Sequence, residues 1–442
     1  TTGQLRAITA GASGIGTIIA NNNTITLSQA GTTEASGIVT QNLSNGSTVT
    51  MNYNSISYGT FASTSQSNMF ANFGNAVNFS FVGNQNNGVV NKTGASGNLY
   101  CLNGGGSSPN ANEIIANNTF DSITIAGSST LYGIHVSTAS TATRQAYNNT
   151  ISDFTGGTGT TYGLSFQTCS SQQVYNNSVS NITAGGTTYG LYFSGNNPTV
   201  YNNTVSNITT AGQNLAGIYD QGAQTTNCYK NQVFNLTSTY SGASTMTVCG
   251  IQVLSGTVGN YVYNNFISDI KVPNATVTTN ALFGINASAS GATTKIRLYY
   301  NTVYLSSTGS GYKSYGIFSN SGHIAELRNN IVVNTSGGNA VAYGRSSNIF
   351  GTYSVASDNN DFYATNIFHD GTTYYTTMAD YQTLVYPREQ ASFSENPPFI
   401  NAAIAPYDLH INTGTATQIE RGGRPVTTPI AITDDFEGNT RD

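Results

Sequence analysis

Tyr147-Asn148-Asn149-Thr150-Ile151, Tyr175-Asn176-Asn177-Ser178-Val179 and Tyr201-Asn202-Asn203-Thr204-Val205 are one phrase written three times: an aromatic residue, two asparagines, a small polar residue, then Val or Ile. Looser copies begin at Tyr229, Tyr263, Tyr299 and Arg328. A second phrase keeps step with the first, reading Tyr-Gly-Ile or a close variant at Tyr132, Tyr162, Tyr189, Ala216, Cys249, Phe283 and Tyr315. Two phrases that stay in phase through insertions, about 30 residues per repeat, mark a solenoid whose unit is one coil of two or three short strands.

The unit is not helical, because Lys, Glu and Arg are scarce while Gly, Asn and Thr dominate. Apolar residues alternate as strands require, and the alternation predicts that Tyr189, Leu191 and Phe193 share one face. Strands this short, stacked coil on coil in register, predict an all-β right-handed parallel β-helix. Asparagine columns counted from Asn23 through Asn54, one of Asn84 or Asn87, and on to a degenerate copy near Asn359 give about twelve coils. Coils are expected over residues 1–356, and a degenerate last coil with a C-terminal cap over 357–442.

The second asparagine of the phrase holds its column at Asn118, Asn149, Asn177, Asn203, Asn231, Asn265, Asn301 and Asn330. Strand interiors disfavour Asn. A stacked amide ladder at a turn explains the column, with the same residue expected to supply the left-handed backbone of the turn. Val174, Val200, Cys228, Val262 and Leu298, each just before the aromatic residue, should point inward, and the aromatic residue outward.

Composition narrows function. Only 7% of the 442 residues are charged, against ~25% in an ordinary soluble protein. Few prolines and abundant Tyr and Phe argue against disorder. With 14 Lys plus Arg and a net charge of −5, no basic patch points to nucleic acid or to an anionic membrane. No apolar run is long enough for a membrane-inserted helix. Cys101, Cys169, Cys228 and Cys249 match no zinc spacing, and Cys228 and Cys249 fall at core positions, where buried thiols are expected.

Six of the nine prolines lie beyond Asn360, where ladder pairing must stop and a cap begins. The chain opens with strand-like Leu5-Arg6-Ala7-Ile8 and no evident cap, so further coils or domains are expected upstream. The coil phrases, together with Ser357-Asp358-Asn359-Asn360-Asp361-Phe362-Tyr363, Asn396-Pro397-Pro398-Phe399-Ile400, Tyr407-Asp408-Leu409-His410-Ile411 and the run Thr433 to Arg441, resemble the parallel β-helix repeats of Bacteroidetes surface and secreted proteins. The resemblance covers most of the chain. It implies export as cargo of the type IX secretion system, display at the cell surface and an adhesin-like role. The sorting domain that such cargo carries at its C-terminus is not in this sequence, so the resemblance implies a piece of a larger chain.

Many parallel β-helices are polysaccharide lyases or hydrolases, and hydrolases need two carboxylates at a set separation. Between Asn118 and Asn330 the acids are Asp121, Asp153, Asp220, Asp269 and Glu326. Asp153 and Asp269 occupy the repeat position of Asn181 and Asn207, which makes them polar turn variants. His135, His323, His369 and His410 are scattered, and no catalytic residue is assigned. Asp434, Asp435, Glu437 and Asn439 form one acidic cluster whose alternating oxygens could hold Ca²⁺; the plainer alternative is a solvated closing turn. The outward column Tyr147, Tyr175, Tyr201, Tyr229, Tyr263 and Tyr299 is the candidate ligand-binding feature, unless the rings merely stack on one another. The expected protein is an extracellular, non-catalytic adhesive or spacing module, meeting surface glycans or other cell-surface protein domains and needing no cofactor. The alternatives are a carbohydrate-active enzyme on the same scaffold and an ice-binding solenoid, for which the Thr residues hold no regular column.

Overall fold

The computed structural model describes residues 4–441 except 12, 29–30, 32, 107–109, 138–140, 223, 255–258, 290 and 292. The protein is an all-β parallel β-solenoid with little helix. Two compact units divide the chain, residues 1–214 and 215–442, and each is a stack of three-stranded windings.

One winding of the first unit shows the plan. Strand Thr161–Gln167 carries the Tyr-Gly-Leu phrase, strand Ser171–Tyr175 ends on the aromatic residue of the other phrase, and Ser178–Ala184 follows the asparagine pair. Each pairs in parallel with its counterpart one winding on, like residue over like: Tyr162 with Tyr189, Val174 with Val200, Tyr175 with Tyr201, Val179 with Val205. In Ser171–Tyr175, Gln172 and Val174 point inward while Ser171 and Gln173 face solvent, the period-2 pattern of a strand with one buried face. Val174, Val200, Cys228, Val262 and Leu298 all lie in the core as expected.

The second-sheet strands of the second unit, Thr225–Tyr229, Gly259–Tyr263, Lys295–Tyr299 and Ile324–Arg328, mark its complete windings. The whole chain makes about eleven. The copy near Asn359 contributes only Asp361–Ala364 and Asn366–His369, laid on the preceding winding, so the column count exceeds the windings by one.

The asparagine ladder holds the corner between the second and third sheets. The Nδ2 of Asn177 donates to Asn203 Oδ1 (2.9 Å) and to the Ala146 carbonyl (3.0 Å). Its Oδ1 accepts from Asn149 Nδ2 (2.9 Å) and from the Asn149 backbone N–H (3.0 Å). Both hydrogens and both lone pairs of a buried amide are thereby used. The same bonds link Asn23, Asn54, Asn84, Asn118 and Asn149 in the first unit, and Asn231, Asn265, Asn301, Asn330 and Asn360 in the second. Asn84, not Asn87, is the ladder member of its coil.

One expectation about this corner needs correction. The left-handed residue is not the ladder asparagine but the one before it: φ is 55° at Asn148 and Asn176, 54° at Asn202 and 53° at Asn264. The turn divides the work, because a side chain at the left-handed position projects to solvent while the next one enters the core, where its amide can be stacked. A second set of left-handed positions comprises Asp153, Asn181 and Asn207 in the first unit and Asn235 and Asp269 in the second. Asp153 and Asp269 are turn residues, as their repeat position predicts.

The glycine of the second phrase explains why the two phrases keep step. A Cβ on Gly163 would sit 2.5 Å from Val179 Cγ1, and one on Gly250 would sit 2.5 Å from Ile267 Cγ2. Gly133, Gly217, Gly284 and Gly316 stand in the same way against Ile151, Val233, Val303 and Val332. The aliphatic residue closing one phrase fills the space left by the glycine of the other. The glycine also breaks the strand alternation. In Thr188–Phe193 both Gly190 and Leu191 are buried, while Tyr189 and Tyr192 are only half-buried. Tyr189 therefore faces outward and does not share the face of Leu191 and Phe193.

Beyond Asn360 the chain first closes the core and then turns back. Helix Met378–Val385, capped by the Thr377 side chain accepting from the Asp380 N–H, buries Tyr381 and Val385. Tyr381 stacks on Phe368 at 4.4 Å between ring centroids. Glu389 ends the asparagine ladder: its carboxylate accepts from Asn360 Nδ2 and from the Tyr353 and Ser392 hydroxyls, while Ser392 Oγ accepts the Asn360 N–H. The remaining residues run back beside the coils of the second unit, through the hairpin Phe399–Asn401 and Asp408–Ile411. All four cysteines are buried and unpaired. Among the described residues no helix is long and apolar enough to cross a membrane.

Candidate functional site

The outward tyrosines form stacks. Tyr147, Tyr175 and Tyr201 lie 5.0 and 4.9 Å apart, 10° and 9° from parallel. Tyr229 and Tyr263 lie 4.8 Å apart. Burial, then the neighbouring phenols, raise the hydroxyl pKa of Tyr175, which stays neutral. Within each stack the ring faces cover one another, so what solvent meets is edges and hydroxyls. Tyr299 departs from the expectation. It is fully buried beneath Val426 and Ile432 of the returning segment, and its hydroxyl donates to Glu326 at 2.7 Å.

A second tyrosine stack was not singled out from the sequence. Tyr100, Tyr132 and Tyr162 lie 4.5 and 4.8 Å apart and within 3° of parallel, with Tyr189 continuing the row at 5.3 Å. The signal was the second phrase itself, hidden by placing Tyr189 on the same face as Leu191 and Phe193. His135 packs beside it, 4.7 Å from the Tyr132 ring, with Nδ1 bonded to Ser165 Oγ. Burial and the nearby Arg144 push its pKa down to about 4, so the imidazole is neutral.

Charged groups inside the coils also escaped the sequence reading. Arg144 and Glu113 are buried and paired at 2.9 Å, and Arg144 also donates to Gln172 Oε1. Lys92 is buried with its ammonium on the carbonyls of Gly94 (3.1 Å) and Ser96 (2.5 Å), and burial brings its pKa down to about 8. Lys92 and Glu113 occupy ladder positions that are apolar in a neighbouring coil: Phe61 and Ile125 flank Lys92, and Phe79 precedes Glu113, while Arg144 lies between Glu113 and Gln172. These groups bond inside the coil, Lys92 to the loop that follows it and Arg144 to the strands on either side.

The acidic cluster does not converge. Asp434 pairs with Lys230 at 2.5 Å, Asp435 accepts from the Asn439 N–H and Nδ2, and Glu437 bonds His410 Nε2. Among the described residues no group of three or more His, Cys, Asp and Glu is placed to hold a metal ion. Of the four, Asp434 bonds the coils, while Asp435 and Asn439 bond each other and Glu437 bonds His410 within the returning segment. Asp434 O and Arg441 Nη2 both bond the Asn264 amide, Asn329 and Tyr300 bond Arg424 O, and Asn359 bonds Gly422 O. Lys230, Asn264, Tyr300, Asn329 and Asn359 are the left-handed corner residues of successive coils. The returning segment thus reads the corner column, one contact per winding.

No family model, curated protein or solved structure matches this chain. The returning segment leaves a cleft against the coils of the second unit. Its walls are Phe266, Tyr300 and Ile331 on the coil side and His410, Phe436 and Arg441 on the segment side. Arg441 lies over the Tyr300 ring at 3.9 Å, and Phe436 stacks on Phe266 at 4.2 Å. Burial disfavours a charge on His410, but its bonds to Asp408 and Glu437 outweigh that and raise its pKa.

Proposed function

We propose that this chain is a non-catalytic, extracellular β-solenoid module of a cell-surface or secreted protein, acting as an adhesive or spacing element. The observation that carries the reading is the columnar surface: uncharged polar residues over one another, as at Gln145, Gln173 and Thr199, beside stacked Tyr, on a chain of which only 7% is charged. Repeated identical edges suit weak, multivalent contact with extended partners, and glycans or other cell-surface domains are the partners that fit. The resemblance of the coil and closing phrases to Bacteroidetes surface repeat proteins supports export and display.

Beads carrying the protein should attach to glycan-coated or cell-derived surfaces. Attachment should weaken in the Tyr175→Ala, Tyr201→Ala double variant, and acidic and neutral polysaccharides should release no new reducing or unsaturated ends. Release of such ends would replace this reading with an enzymatic one, and unchanged attachment of the double variant would remove the tyrosine stack from it.

A further inference from the structure

Three adjoining chambers of about 240, 130 and 450 Å³ lie under the returning segment, and Tyr300 and Arg441 line all three. We propose that this cleft is a binding site for a neutral saccharide unit, held between the corner residues of the coils and the C-terminal segment. The proposal rests on the adhesive reading only for the class of molecule the protein meets.

Three observations carry it. The first is a buried polar atom without a partner. Asp361 is 1% exposed, and its Oδ1 accepts the Glu395 N–H at 2.8 Å, but its Oδ2 has no hydrogen-bond partner. Asp361 lines the second chamber, beside Asn359 and Phe393. An unsatisfied buried carboxyl oxygen is costly, and a ligand hydroxyl that reached it from the chamber would satisfy it. Burial pushes this carboxyl up to about 8, so near neutral pH it carries a proton that it can donate to a sugar oxygen.

The second is the mixture of walls. Ile331, Phe266 and Phe393 offer apolar surface next to Arg441, Asn329 and Asp361. Apolar patches flanked by a few converging donors and acceptors suit a sugar, whose C–H faces and hydroxyl rims need both. The third is charge. With Asp361 protonated, the first two chambers set the carboxyls of Asp435 and Glu437 against the Arg441 guanidinium and the His410 imidazole, whose pKa is raised. That even balance gives no net attraction to a charged ligand, and the saccharide is placed in these two chambers; the third, with Arg421 and Arg424 beside Arg441, carries a surplus of positive charge.

Titration calorimetry of the whole protein with glucose, galactose, mannose, N-acetylglucosamine and, as the acidic arm, glucuronic acid tests this. Saturable binding of at least one neutral sugar and none of glucuronic acid is expected. Ile331→Trp, which fills the wall shared by two chambers, and Asp361→Ala, which removes the unpaired oxygen, should each weaken binding by about tenfold or more. Melting curves identify which variants remain folded, and one folded variant suffices. Unchanged affinity in a folded variant, preference for glucuronic acid, or no binding of any sugar overturns the proposal. Bead attachment without sugar binding leaves the adhesive reading standing and removes only this site; sugar binding without attachment does the reverse.

Discussion

At the scale of the residue, the asparagine pair shows how two neighbouring positions of one amino acid do different work. Asn176 takes the left-handed backbone and Asn177 the buried amide. Removing the second should cost more. Asn177→Ala leaves the Asn149 Nδ2 and N–H, the Ala146 carbonyl and the Asn203 Oδ1 without this partner, a loss of roughly 2–4 kcal/mol. Asn176→Ala removes no buried hydrogen bond and should cost about 1 kcal/mol through backbone strain. Denaturant unfolding with hydrogen exchange on the flanking coils would rank the two; equal costs would contradict this division. The column was legible because it repeats. Which of two adjacent asparagines carries the positive φ was not, since both are common at turns.

At the scale of the element, the two phrases lock through glycine and an aliphatic residue. A Cβ on Gly316 would fall far inside contact with Val332 Cγ1, while the next nearest atom, the Ala342 carbonyl oxygen, would be 3.0 Å away. Gly316→Ala alone should cost roughly 1–3 kcal/mol through overpacking. Val332→Ala alone also destabilises, by leaving a cavity. The double variant should cost less than the sum by about 1 kcal/mol or more. Additive costs in a double-mutant cycle would show that the phrases are independent. This lock also explains the misplaced Tyr189: strict alternation assumes equal residues, and a glycine pressed into the core shifts everything before it to the opposite face.

At the scale of the whole molecule, the closing end and the coils should respond oppositely to pH. Burial holds Glu389 at about 7 and Asp361 at about 8, above their unfolded values near ~4. Carboxyls raised in the folded state favour folding least once the unfolded chain ionises. Closure should therefore weaken as pH climbs from about 4 and level off above 8. His135 and His323 are lowered to about 4 by burial, so their coils should lose stability as pH falls below ~6.5. Limited proteolysis between residues 374 and 393 at pH 5 and pH 9 should show faster cleavage at pH 9, and Glu389→Gln should flatten the difference. A closing segment equally protected at both values would count against the assignment.

The sequence by itself determined the winding. Each coil repeats the residues of its neighbour, so register, ladder and inward face are written as identities between consecutive copies, and columns at Asn177, Val174 and Tyr175 could be read without coordinates. Only the tertiary structure decided where the non-repeating end goes. Arg441 meets Tyr300 and Asn264, Asp434 meets Lys230, and Val426 covers Tyr299. These pairs are far apart along the chain and belong to no repeat, so nothing in either partner names the other. The acidic run therefore read as an open cluster until the chain's return along the corner column gave Asp434 its partner Lys230 and enclosed the cleft.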